Sequence, residues 1–159
     1  MAHTIDFVVE TEPEGVDIDT LEELAGRVLA GEGVADGVAL TVLTTDDETL
    51  QDLNSRFLGI DAPTDVLAFP EAAEAPLGEG EPPSLGDIAI SVPTAVRQAS
   101  ELGHSLADEL AHLLTHGILH LCGYEHEGGG KKAARMRSRE EHYLGDIRGH
   151  GTADPRVRH

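Results

Sequence analysis

Tryptophan is absent from this chain, and cysteine occurs once, as Cys122. A single thiol cannot build a disulfide framework, which fits a reducing cytoplasm. Aromatic side chains are scarce, at 3 Phe and 2 Tyr. Base stacking is therefore a weak source of affinity, and low sequence selectivity toward any nucleic acid is expected. No apolar run reaches the roughly 18 residues of a membrane-spanning helix. Residues 1–11 show no basic segment followed by an apolar run, so no signal peptide is expected. Positive charge is the other shortage: 11 Lys and Arg stand against 30 Asp and Glu, a net charge of -19. That excess argues against broad, non-specific binding of nucleic acid.

The shortage of cations is uneven. Arg27, Arg56 and Arg97 are the only Lys or Arg before residue 127; Lys131, Lys132, Arg135, Arg137, Arg139, Arg148, Arg156 and Arg158 follow. An acidic body with a basic end can dock a polyanion at that end. A solvated basic helix with a loose tail explains the same charges.

At 159 residues the chain is one domain with enough length for a core. Residues 4–10 read as a first strand. Asp19 is a plausible N-cap for a helix carrying Leu21, Leu24, Ala25, Val28 and Leu29, with Gly31 past its end. Residues 38–44 read as a second strand. Thr45 or Asp46 then caps a helix with Leu50, Leu53 and Phe57 at helical spacing. Residues 64–69 make a third strand stopped by Pro70. Residues 71–84 are rich in Pro, Gly and Glu and read as a loop. Residues 86–91 make a fourth strand, and Pro93 suits the first turn of a third helix ended by Gly103. Ser105 and Asp108 resemble a capping box for a fourth helix that runs to about Leu121. Its apolar face is broad (Leu106, Leu110, Leu113, Leu114, Gly117, Ile118, Leu121), so it should be central and buried. Gly128–Gly130 is a hinge before a last, polar helix over residues 131–144, with Met136 and Tyr143 as anchors. Residues 1–145 form the domain, and 146–159 a disordered basic tail. Strands and helices do not alternate regularly, so an α+β fold with about four strands in a mixed sheet is expected.

The chemistry gathers in residues 116–126, HGILHLCGYEH. Residues four apart lie on one face of a helix, so His116 and His120 can aim two imidazoles at one point. Gly123 can end the helix, and His126 can return as a third ligand. Three imidazoles with a fourth position open is the composition of a catalytic zinc site; nickel, copper or iron would also suit the donors. The order His-x-x-x-His-x-x-Gly-x-x-His is that of the metzincin proteases. Those enzymes carry their general base, a Glu, directly after the first His. Here that place is Gly117, which can move no proton. Cys122 lies about 200° around the helix from His120 and reads as packing. His112 reads as an ordinary helix histidine. Glu109, two turns before His116, reads as a carboxylate partner for a metal-bound imidazole or as a base.

The string HGILHLCGYEH closely resembles the HGxLHLxGYDH signature of the YbeY-type endoribonucleases. Leu53-Asn54 through Asp61, then residues 63–70 (PTDVLAFP), resemble that family's LN…D.PTDVLSFP segment, and residues 85–91 (LGDIAIS) its LGDIxIS segment. The three blocks fall in the family's order. The resemblance implies a zincin-like α+β fold, with a metal, zinc by preference, on His116, His120 and His126. It implies a cytoplasmic, single-strand-specific endoribonuclease that matures the 3′ end of the small-subunit ribosomal RNA and serves ribosome quality control. The partners are then single-stranded RNA, ribosomal RNA and the ribosome, with no membrane and no organic cofactor. Three departures stand out, one being Cys122, at a position the signature leaves open. Phe57-Leu58 occupies the place of the family's Tyr-Arg pair, which leaves the catalytic arginine unassigned, since Arg56 points elsewhere on a helix. Glu125 replaces the signature's Asp. A metalloprotease-like hydrolase on the same frame, or a non-enzymatic metal-binding assembly factor, are the rival readings.

Overall fold

A computed structural model describes residues 3–70, 83–124 and 130–145. Among the described residues nine elements run in the order β1 (Thr4–Val9), α1 (Ile18–Gly31), β2 (Ala39–Thr45), α2 (Asp47–Leu58), β3 (Val66–Pro70), β4 (Ser84–Ser91), α3 (Val92–Leu102), α4 (Leu106–Leu121) and α5 (Gly130–Leu144). The strands form one mixed sheet in the order β1-β2-β4-β3. β1 and β2, and β2 and β4, pair in parallel, while β3 lies antiparallel to β4 at the edge. This is the expected α+β domain with a four-stranded mixed sheet.

Alternation along the strands sorts the core into two layers. Leu40 and Val42 of β2 and Ile88 and Ile90 of β4 join the main core, beside α1 and α4. Leu67 and Ala89 face the other way, under Leu50 of α2. α4 packs against α1, α3, α5, β3 and β4. Its Leu110, Leu113, Leu114, Ile118 and Leu119 are fully buried, so the helix is the centre of the fold, as its wide apolar face predicts.

Two glycines let layers close up. A Cβ on Gly117 would sit 3.1–3.3 Å from three atoms of Ile88, so the bare backbone of α4 lies directly on β4. Gly86 has φ +146°, and a Cβ there would strike the carbonyl oxygen of Phe69 and come within 3.1 Å of Leu121. Beside it the β2–β4 register slips: Ala39 pairs with Ser84 but Leu40 with Gly86. Pro70 pairs with Gly86 on the edge strand, where a missing N–H does least harm.

The helix ends differ in places from the pattern reading. α1 is capped by Asp17, whose side chain accepts from the Asp19 N–H, and Gly31 is its last helical residue, with Glu32 as C-cap. Asp46, rather than Thr45, caps α2 through the Thr49 N–H. Phe57 is 62% exposed. Its stripe ends at edge strand β3, where it meets the Phe69 ring at 5.3 Å and otherwise faces solvent. Ser91 and Ser105 cap α3 and α4. In α5, Met136 and Leu144 are buried, and Tyr143 packs half-buried on the core. Of the loop expected over residues 71–84 and the hinge over 128–130, residues 71–82 and 128–129 lie outside the described residues, as does the tail over 146–159; Ser84 instead opens β4 and Gly130 opens α5.

Candidate metal centre

The end of α4 is built to turn the chain sharply. The N–H of Gly123 bonds the carbonyl of His120 at 3.0 Å, and the N–H of Tyr124 bonds that of Leu119 at 3.0 Å. Gly123 takes φ +100°. This paired closure needs a residue tolerant of the left-handed region, so the motif's glycine ends the helix three residues past His120.

His116 and His120 stand one turn apart, their ring centroids 4.7 Å apart and nearly perpendicular. Their Nε2 atoms lie 3.2 Å from each other. Two nitrogen ligands on one tetrahedral zinc, each at about 2.0–2.1 Å, are about 3.3 Å apart. The pair therefore fits two ligands of such an ion. The third expected ligand, His126, and its neighbour Glu125 lie outside the described residues. Among the described residues no group of three or more His, Cys, Asp or Glu is placed to hold a metal.

Behind the pair sits Glu140 of α5. Its Oε2 meets His116 Nδ1 at 2.6 Å, and its Oε1 meets His112 Nε2 at 3.2 Å. Burial alone would push this carboxyl up, but the two imidazoles hold it well below the usual carboxylate range. With Nδ1 of His116 donating to the carboxylate, Nε2 is left with its lone pair toward the cleft. The carboxylate that meets His116 is thus Glu140. Glu109 is fully buried and meets His104 Nε2 at 2.6 Å. His112, read as ordinary, shares the buried carboxylate. The clue was present in the sequence: Met136, Glu140 and Leu144 recur at spacing four, an acid set in an apolar stripe.

The imidazoles open into a cleft of about 770 Å³. Its walls are residues 63–68 and Pro70 from β3 and its approach, Thr94, Arg97 and Gln98 from α3, and the end of α4 through Tyr124. The family-like segment before β3 acts as a latch for that wall. Buried Asn54 donates to the carbonyl of Ala62 at 3.0 Å. Asp65 accepts from its neighbour Val66 N–H at 2.7 Å and from Gln98 at 3.2 Å. Arg56 instead pairs with Asp52 on the surface, and Leu58 is 55% exposed; neither borders the cleft.

A smaller hollow of about 360 Å³ shares Gly123 and Tyr124 with the cleft and adds Glu32, Cys122, Lys132 and Arg135. The Arg135 guanidinium stacks over the Tyr124 ring at 5.4 Å. Glu32 ties this corner together: it accepts from Tyr124 Oη at 2.7 Å, Tyr143 Oη at 2.5 Å and Arg139 at 2.7 Å. Against the upward push of burial, these donors lower the Glu32 carboxyl. Burial, with Glu32 nearby, raises the Cys122 thiol to about 11, which fits packing rather than ligation.

The family model described as Endoribonuclease YbeY matches residues 7–148. The Endoribonuclease YbeY of Chloroflexus aurantiacus is 44% identical over 149 residues, covering 91% of this chain and 95% of that protein. That of Aquifex aeolicus is 41% identical over 140 residues, covering 88% and 90%. The solution structure of TM1509 from Thermotoga maritima superposes with a TM-score of 0.62 at 27% identity, covering 96% of this chain and 94% of that one. With the family model spanning most of the chain and relatives above 40% identity along its length, the chain belongs to the Endoribonuclease YbeY family.

Proposed function

We propose that the chain is a zinc-dependent, single-strand-specific endoribonuclease that acts in 3′-end maturation of the small-subunit ribosomal RNA and in ribosome quality control in the cytoplasm. The observation that carries the metal is the 3.2 Å approach of two Nε2 atoms backed by a buried carboxylate. His116 and His120 would hold the ion, with His126 as third ligand. When bound, it supplies a Lewis acid for a phosphoryl oxygen and lowers the pKa of a water at its open position.

The rest falls to the chain. Glu140 fixes the ring and tautomer of His116, so the imidazole would offer its lone pair to the ion. Gly117 has no side chain to move a proton, and a Cβ there would press on Ile88 at 3.1–3.3 Å; that speaks against the protease reading. The RNA backbone crosses the cleft and continues past Tyr124 onto the cations of α5, where phosphate contacts hold it without reading sequence. No organic cofactor enters this reading.

Single-stranded RNA incubated with the full chain tests it, with and without chelator, beside His120→Ala and a duplex control. Cleavage of the single strand that both chelator and substitution abolish is the expected result. Cleavage surviving both sinks the metal reading. Ribosome association with no cleavage, in protein holding one metal per chain, would favour the non-enzymatic assembly factor.

A further inference from the structure

A metal acting on a phosphodiester leaves a second charge problem. The strand's flanking phosphates must be held, and charge developing at the scissile one needs a fixed donor. Leu58 cannot serve. Among the described residues lining the cleft, Arg97 alone carries a guanidinium or ammonium group. It stands on α3 and lines the same cleft as His116 and His120.

Its setting is that of a cation held ready. One guanidinium nitrogen, Nη2, donates to Asp47 Oδ2 at 3.0 Å and to Thr94 Oγ1 at 2.9 Å. Asp47 is anchored in turn by Thr94 at 2.5 Å and by the hydroxyl of Ser91. Nε and Nη1 make no hydrogen bond among the described residues, and the side chain is 59% exposed. An arginine has five N–H donors in a rigid fork. Two are spent on aiming it, and the others face outward. Ordering the side chain in advance lowers the entropy cost of binding a ligand.

Building on the ribonuclease reading, we propose that Arg97 binds a backbone phosphate of the RNA beside the metal centre. The competing account is a structural clamp between α2 and α3. An exposed ion pair contributes little to folding, so Arg97→Ala should fold, and the two accounts differ in kinetics.

The test is steady-state cleavage of a short labelled single-stranded RNA by zinc-loaded full chain, with Arg97→Ala, Arg97→Lys and Asp47→Asn, from about 50 to 200 mM salt. Arg97→Ala should raise KM about tenfold, the size of one lost charge-assisted hydrogen bond, with a smaller change in kcat. The slope of log(1/KM) against log salt should fall by about 0.7, the value for one phosphate contact on a single strand. Arg97→Lys should restore that slope. Unchanged KM and slope in Arg97→Ala, with cleavage still lost in His120→Ala, overturns this proposal and leaves the ribonuclease standing. So does a loss of melting temperature and kcat together that Asp47→Asn reproduces, which identifies a clamp. No cleavage by the unsubstituted, zinc-loaded chain overturns both.

Discussion

Glu140 shows how much one residue can decide. It is 4% exposed and lies 24 positions from His116, yet it sets the imidazole's orientation. Glu140→Gln should lower zinc affinity about 10–100-fold, measured by competition with a chelating dye, while far-ultraviolet circular dichroism stays unchanged. Gly117 is the opposite case, a residue whose value is what it lacks. Gly117→Ala sets a Cβ 3.1–3.3 Å from Ile88 against the roughly 1 kcal/mol by which Ala favours a helix over Gly; urea unfolding should read a net loss of no more than about 1 kcal/mol, and Ile88→Val in the same chain should return it. The histidine spacing was legible in the sequence because a helix projects positions four apart onto one face. The carboxylate behind it was not legible as a partner, because nothing local in residues 130–144 says which element that helix will meet.

At the scale of elements, α5 matters most, since it brings both Glu140 and the basic surface to the end of α4. Its attachment runs through Glu32 at the end of α1, which takes Arg139 and Tyr143 from α5 and Tyr124 from the turn after α4. The Glu32 carboxyl is lowered from an ordinary value near 4.5. A carboxyl lowered in the folded state binds fewer protons there than in the unfolded chain, so it adds stability above that ordinary value and loses it as pH falls below. Glu32→Gln should therefore unfold earlier than the parent chain at pH 7, and the gap should shrink once pH drops below about 4.5. A gap that stays constant into acid would assign the loss to shape rather than charge. Most elements were legible from the periodicity of their apolar residues. Their ends were less so: Asp17 and Asp19 are both good caps by type, and only the path of the chain before α1 selects the first.

The molecule as a whole sets an acidic body against a basic helix. Of the eight cations after residue 126, Lys131, Lys132, Arg135, Arg137 and Arg139 lie on α5. Lys132 and Arg135 edge the hollow that adjoins the cleft. Replacing Lys131, Lys132 and Arg135 together by Gln should weaken RNA binding about equally for unrelated single-stranded sequences. It should also lower the salt slope by about 2, at roughly 0.7 per contact. Fluorescence anisotropy with two oligonucleotides of different sequence reads both effects. A loss confined to one sequence would mean that these side chains read bases, which the shortage of aromatics argues against.

By itself the sequence determined the element types, the central place of α4 and the convergence of His116 and His120. Each of these is local: it follows from a period along one segment, and a period survives whatever the segment later packs against. Tertiary structure alone decided that Glu140 backs His116, that Gly117 lies on Ile88 and that Arg97 borders the cleft. The first two pairs lie 24 and 29 positions apart along the chain, and Arg97 lies 19 positions from His116. Such contacts exist only after burial of the apolar faces has chosen which elements touch, and that choice is made by the whole core at once.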